Sequence, residues 1–461
     1  MLHRDSQVRL NVVCLRRCLN WLLAGIDWRS IAFRDDCRWT PKTLTTAALL
    51  WAWSGEETLG ERFYTVRKII AALHKEQQQL ATSYQAFTKI LRRWTKHLAS
   101  LLQTVLQQRM QEALASYWLI AGYLVFAVDG SRIELARTRS HEQAYSTIRH
   151  RRRVKNSRNR KLQAKNAKKA NSPQLWLTTM WHIGTGLPWD WRVGPGDSSE
   201  RTHLLQMLAG LPAGALVTAD GGFVGYDGLR KIIDSGRHVL LRVGGNVRLL
   251  KNLGFARESA GTVYLWPDRV SRRGLHPLVL RMVVVEGGKG SVYLVTSILS
   301  PDALSDRQLV DIYARRWGIE LFYRHLKQTF RRRKLLSREA ENAKLEITWS
   351  LLGLWAMSLF ALVEAVRQGI APAKLSFAKL LLAFRRTMRD YLHPTARGER
   401  LCERLRHAII DSYERKNKAS RNYPTKKKMR PPGAPVITTA NRSQIRHAVQ
   451  IKQQQRKGLT A

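Results

Sequence analysis

Two short apolar runs, each closed by aspartate and glycine, constrain this chain more than any other feature. Residues 124–128 read Leu-Val-Phe-Ala-Val and run into Asp129-Gly130; residues 215–219 read Ala-Leu-Val-Thr-Ala and run into Asp220-Gly221-Gly222. Compact apolar runs bounded by turn residues predict strands buried on both faces. Such strands belong to sheets covered by helices on either side. In open α/β sheets, ligands bind at the carboxyl ends of the strands. Both aspartates are therefore expected at one edge of one sheet.

The surrounding pattern extends that sheet. Residues 174–181 and 187–193 predict two strands joined by the turn at Gly184-Thr185-Gly186. Asp197 with Glu200 three residues later has the form of a capping box, opening a helix through Leu204, Leu205 and Leu208. A helix over about 226–235 then leads to a strand at 238–243. Three strands, helix, strand, helix, strand is the order of a ribonuclease-H-like core, so the expected class is α/β. Residues 245–300 are rich in strand patterns, at 263–266, 278–285 and 292–296 with a loop at 287–290, and read as an inserted β-rich subdomain. The core is expected to run over 121–244 and to finish at 301–340. Residues 1–120 show helix-period apolar positions with Lys and Arg between them, and residues 83–94 have the form of the second helix of a helix-turn-helix. A helical region is expected at 341–416. The tail 417–461, rich in Lys and Gln with Pro431-Pro432, is expected to be disordered.

Charge narrows the partners. The 461 residues include 79 Lys+Arg against 34 Asp+Glu, a formal net charge of +45. A compact chain with that excess repels itself unless a polyanion neutralises it, and DNA phosphates are the expected counter-charge. Residues 148–170 form a basic arm without an acidic residue; Arg151, Arg152, Arg153 and Lys155 within it are expected phosphate contacts. The four cysteines, Cys14, Cys18, Cys37 and Cys402, are too scattered for a disulfide framework and read as ordinary thiols in a reducing compartment. The apolar run 348–363 is shorter than the roughly 20 residues a membrane span needs. No signal-peptide pattern opens the chain, so a cytoplasmic, nucleoid-associated protein with no membrane segment is expected.

The chemistry concentrates in residues 313–327. At about 100° per residue, Tyr313, Arg316, Glu320 and Lys327 fall within about 60° of one another on a helix. Ile312, Ile319, Leu326 and Phe330 form a separate apolar stripe that packs. An amphipathic surface helix with an i, i+4 ion pair has the same local look, but here it follows two strand-end aspartates and a basic arm. Attack on a phosphodiester needs both attacking and leaving oxygens stabilised, which two divalent ions accomplish. Mg²⁺ or Mn²⁺ takes carboxylate oxygens. Asp129, Asp220 and Glu320 form a suitable set, Asp129 bridging two ions and the others holding one each. Arg316 and Lys327 suit phosphates beside the scissile bond, and Tyr313 suits a phosphate oxygen. Glu134 and Asp197 are competing acids nearby.

The spacing Tyr-(2)-Arg-(3)-Glu-(6)-Lys at Tyr313, Arg316, Glu320 and Lys327 resembles the signature of the IS-four family of bacterial insertion-sequence transposases. Phe126-Ala-Val-Asp129-Gly-Ser and Val217-Thr-Ala-Asp220-Gly-Gly resemble the family's two aspartate segments, and the β-rich insertion before the glutamate is also similar. The resemblance covers roughly residues 120–365. It implies a DDE triad of Asp129, Asp220 and Glu320 and cut-and-paste transposition. It implies double-stranded DNA as partner, as terminal inverted repeats and as target, with a homodimer on paired ends and a hairpin intermediate in some relatives. The region 1–120 would recognise the ends. A catalytically silent DNA-binding derivative and a structure-specific nuclease on the same fold are the alternatives.

Overall fold

The computed structural model describes residues 15–73, 83–146, 172–286, 290–393, 400–410 and 433–458. The basic arm 148–170, with Arg151, Arg152, Arg153 and Lys155, lies outside the described residues.

Helices come first: α1 (Leu15–Leu23), α2 (Pro41–Trp53), α3 (Leu59–Leu73) and α4 (Tyr84–Ala113). A reciprocal cap between Thr40 and Thr43, with proline at the first helical position, starts α2. In α4 the buried residues Phe87, Leu91, Leu98, Leu102 and Leu106 recur at helical spacing. Residues 83–94 are therefore the first turns of a 30-residue packing helix, not a short recognition helix.

The α/β part follows: β1 (Val125–Glu134), α5 (Arg139–Tyr145), β2 (Gln174–His182), β3 (Leu187–Pro195), α6 (Glu200–Met207), β4 (Leu216–Ala219), α7 (Tyr226–Asp234), β5 (His238–Val243), β6 (Arg248–Lys251), β7 (Thr262–Leu265), α8 (Asp268–Ser271), β8 (Leu278–Val285) and β9 (Val292–Thr296). After these come α9 (Asp306–Arg315), α10 (Gly318–Arg324), a π-helical turn (His325–Thr329), α11 (Ala340–Arg367), α12 (Phe377–Leu392), α13 (Leu401–Arg406), β10 (Val436–Thr439) and α14 (Arg442–Gly458).

Among the described residues the strands form one sheet, in the order β10-β6-β7-β8-β9-β5-β4-β1-β2-β3. β1, β4 and β5 are mutually parallel neighbours, while β2 and β3 extend that block as antiparallel hairpin strands. The strands of the stretch 245–300, expected as an inserted β-rich subdomain, pair on to the core sheet. β9 pairs antiparallel with β5 from Leu240↔Thr296 to Val243↔Tyr293, so the inserted strands continue the core sheet. Hydrogen-bonding groups on the free side of β5 supply the reason: an unpaired edge accepts the next strand.

Part of the tail expected to be disordered is folded. β10 adds to the free side of β6, from Val436↔Arg248 to Thr439↔Lys251. Ala448 and Ile451 of α14 are buried. Averaging the composition over the whole tail hides this short apolar set among Lys and Gln.

The helices from the two ends of the sequence make one layer. α11 packs against α2, α4 and α12 and also meets β3. By length and composition α11 could cross a membrane, but 89% of its most apolar window is buried within the protein, which makes it a core helix here. Polar bonds fix its register. Trp53 Nε1 donates to Gly353 O at 2.7 Å, and Trp349 Nε1 to Thr95 Oγ1 at 2.9 Å. Arg332, 2% exposed, donates to Ser350 Oγ (2.7 Å), Phe330 O (2.9 Å) and Ala52 O (3.2 Å), with Glu346 Oε1 3.9 Å from its Nε. Glu346 in turn accepts from the Leu336 and Ser337 amides and the Ser337 hydroxyl. One buried ion pair thus ties α2, α11 and the segment leaving the π turn.

Breaking a buried pair strands a charge at a cost of about 3–5 kcal/mol. Arg332→Met should lower the urea midpoint by that equivalent. An unchanged midpoint would show that the three elements hold together without the guanidinium.

Candidate active site

Parallel pairing of β1 with β4 sets the first geometry. Val125 stands opposite Leu216, Phe126 opposite Val217 and Ala127 opposite Thr218. Continued by two residues, this register brings Asp129 level with Asp220 across neighbouring strands, which lie about 4.8 Å apart. Asp220 caps the turn after β4, its Oδ1 accepting the Gly222 amide at 2.8 Å. It is exposed, whereas Asp129 is half-buried.

The segment expected as one continuous helix over 313–327 is broken twice. α9 ends at Arg315 and α10 restarts at Gly318; the helix then widens into the π turn from His325. Close packing accounts for the first break: a Cβ on Gly318 would lie 2.1 Å from the ring of Trp181, so α10 comes down on β2 where only glycine fits. The apolar stripe is buried as its spacing predicts, with Ile312, Ile319, Leu326 and Phe330 all at 1% exposure or less. π turns rotate the residues that follow them and recur at functional sites. Here Lys327 reaches β1, its Nζ donating to Ser131 Oγ at 2.6 Å.

Arg316 and Glu320 remain together despite the break, with Nη2 to Oε1 at 3.2 Å. The guanidinium also stands over the Tyr313 ring, 5.4 Å from its centre. Tyr323, three residues after Glu320, went unnoticed in the sequence. Its buried hydroxyl lies between β1 and β2, accepting from the Thr179 amide (3.1 Å) and donating to Asp129 O (2.7 Å), with Leu177 O at 3.3 Å. No local pattern announces this role, because both partners are backbone groups more than 140 residues away.

The acids feel one another. Burial is the largest influence on the Asp129 carboxyl and pushes it up to about 6; the Gly130 amide and Arg316 oppose this, while Asp220 and Glu320 add to it. A fourth acid shares the field. Glu200 is pushed up to about 7, by burial first, then by Asp129 and Asp220, with Arg201 opposing. The expected capping box at Asp197 and Glu200 is not formed. Ser199 caps α6 instead, accepting from Thr202 N, so the helix starts two residues later and Glu200 is its first residue. Glu134 is engaged elsewhere, paired with Arg333 at 3.2 Å.

The donor set suits a hard divalent cation: oxygen-only, anionic, mutually repelling groups at one sheet edge. Among the described residues no three such side chains already stand in ion-holding geometry. Lys327, its charge disfavoured first by burial, is nonetheless favoured by Glu134 and Asp129. Beside Asp220 a hollow of about 230 Å³ is lined by Gly221, Gly222, Arg242, Val243, Gly244 and Asn246.

The transposase DDE domain matches residues 120–355, more than half of the chain and the span that carries all of this geometry. The chain belongs to the transposase DDE-domain family. Among curated proteins, transposase InsG for insertion sequence element IS4 of Escherichia coli (strain K12) is 24% identical over 222 residues, 45% of this chain and 49% of that protein. The match thus spans about half the length of the curated relative. The resemblance to IS4-type transposases at residues 313–327 agrees with both findings. A cryo-EM structure of the piggyBac transposase synaptic complex with hairpin DNA aligns at a TM-score of 0.43 and 10% identity, over 91% of this chain and 90% of that one.

Tyr323 and Asp129 each give an expected outcome. Tyr323→Phe removes the hydroxyl between β1 and β2, at a cost of about 1–3 kcal/mol for the groups left unpaired. Amide exchange at Thr179 should accelerate; unchanged protection there would mean the strands hold their own register. The second concerns pH. Because the folded state raises Asp129 above its ordinary value of 3.8 to about 6, it holds that proton more tightly than the unfolded chain. Asp129 therefore subtracts stability as pH rises from about 4 through about 6. Without added metal, Asp129→Asn should be more stable than wild type above pH 6, by on the order of 1 kcal/mol or more, with the gap closing below about pH 4. A gap independent of pH would rule out this origin.

Proposed function

We propose that this transposase cuts the ends of an insertion sequence and joins them to target DNA, on a ribonuclease-H-like core whose catalytic carboxylates are Asp129, Asp220 and Glu320. The observation that carries the reading is the β1–β4 register, which, continued two residues past Ala127↔Thr218, sets Asp129, midway along β1, level with Asp220 just after β4. The second support is the anchoring of α10, which bears Glu320, to the backbone of Asp129 through Tyr323.

Two Mg²⁺ or Mn²⁺ ions held by these carboxylates would stabilise the attacking and leaving oxygens of the phosphodiester. The protein's own groups do the rest. Arg316, held by Glu320 and the Tyr313 ring, offers a rigid planar donor to a phosphate oxygen. Lys327, fixed on Ser131, places a cation beside β1 two residues beyond Asp129. The glycines and Arg242 around the hollow next to Asp220 let a sugar-phosphate strand approach the backbone closely. The +45 charge and the basic arm would supply the sequence-independent part of binding to terminal inverted repeats and target. Pairing of two ends by a homodimer belongs to the same reading.

Excision tests it. Purified protein, a duplex carrying the element's own ends and Mg²⁺ should give cleavage at the element boundary. Glu320→Gln and Asp129→Ala should each lower the rate on the order of a thousandfold, ~4 kcal/mol of barrier, while retaining end binding. Specific binding without cleavage in both Mg²⁺ and Mn²⁺ by the wild type would overturn the reading in favour of a DNA-binding protein.

A further inference from the structure

Glu200 occupies a place that the three-acid account does not use. It is the first residue of α6, the helix that follows the β2–β3 hairpin and packs on β1, β2 and β3. Its side chain crosses to β1 and lies directly on Gly130: a Cβ there would be 2.2 Å from Oε1 and 2.8 Å from Cγ and Cδ. No side chain but that of glycine leaves room for it. The neighbouring residue fastens α6 on the other side, Arg201 Nε donating to Gly222 O at 2.8 Å, in the turn that follows Asp220. The start of α6 is therefore held between strand β1, which carries Asp129, and the turn that carries Asp220. Both aspartates repel the Glu200 carboxylate. Among the described residues no donor hydrogen-bonds to it, although Arg201 beside it is the one cation acting in its favour.

A half-buried carboxylate placed against two others without a hydrogen-bonding partner destabilises the fold unless something cationic meets it. A surface ion pair does not explain the placement, because among the described residues no cation pairs with Glu200 and Arg201 Nε donates instead to Gly222 O. Helix capping does not explain it either, because Ser199 performs that role.

We propose that Glu200 is a fourth carboxylate of the metal site, an oxygen donor toward the cation nearest Asp129, and that glycine stands at position 130 to admit it. The inference rests on the reading of Asp129, Asp220 and Glu320 as metal-binding acids. Glu200→Gln keeps the shape, removes a repelled charge and should fold at least as well as wild type.

The test is Mn²⁺ titration calorimetry on the full chain, without DNA, with circular dichroism melts alongside. Asp129→Asn reports on the underlying reading, and Glu200→Gln on the new one. Both are expected to weaken Mn²⁺ binding, Glu200→Gln by about tenfold or more. Gly130→Ala should reproduce the Glu200→Gln defect by displacing the carboxylate. Added to Glu200→Ala, which empties the space over position 130, Gly130→Ala should cause no further loss. If Asp129→Asn weakens binding while Glu200→Gln matches wild type, the fourth-carboxylate inference fails and the three-acid reading stands. If neither variant weakens binding, the reading itself fails. If Gly130→Ala and Glu200→Ala are additive, glycine is needed at 130 for some other reason and that half of the inference is overturned.

Discussion

The placement of the acids at the sheet edge depends on how residues 318–335 lie along β1. Tyr323 meets the carbonyl of Asp129, Lys327 meets Ser131, and the backbone of 333–335 pairs with Glu134. These contacts advance together. Four helical residues rise about 6 Å, and two strand residues rise about 6.6 Å, so one turn of helix keeps pace with two residues of strand. Side chains two apart on β1 face the same way, and the helix can therefore grip one face of the strand at successive turns. Beyond the π turn the chain is no longer helical and joins β1 as backbone, Glu134 N donating to Arg333 O and Leu335 N to Glu134 O. Glu320 is thereby placed relative to Asp129 by bonds to the backbone, which do not depend on how either carboxylate is charged.

That independence matters because the charges oppose one another. The protein carries a large positive excess, yet acids repel each other at the sheet edge. A +45 background does not relieve this, because exposed charges further than about 8–10 Å away are screened by salt. Close cations are few: Arg316 acts on Asp129 and Glu320, and Arg201 on Glu200. The anchors at Tyr323, Arg201 and the buried Arg332–Glu346 pair hold the elements against the repulsion. Under the proposed function, a divalent cation would offset that repulsion between the carboxylates.

What the sequence made legible follows from the range of each interaction. The apolar runs before Asp129 and Asp220 could be read as strands because burial leaves such a run, but only the second ends at its aspartate: β1 continues past Asp129 to Glu134 because β2 pairs with it there. The stripe of Ile312, Ile319, Leu326 and Phe330 could be read because packing imposes a period. The break at Arg316–Gly318 could not, since its cause is the ring of Trp181, far away in the chain. Tyr323 carries no signal in the sequence, and Glu200 reads there as part of a capping box with Asp197. Both derive their roles from β1, and neither leaves a local period. The basic arm was plain from composition, but it lies outside the described residues.

The two ends of the sheet show the same logic on a larger scale. Strands inserted after β5 lengthen the sheet by pairing with an edge that would otherwise be open, and each addition moves the edge outward to β6. An unpaired edge is a template for any other chain, a liability in a protein expected to crowd along DNA. β10 pairs with that edge along four residues and becomes the outermost strand, and α14 follows, its Ala448 and Ile451 buried. The tail's composition gave no warning, since a strand of four residues within a stretch dominated by Lys and Gln barely shifts an average. Its folding is a property of β6, the partner, as much as of residues 436–439 themselves.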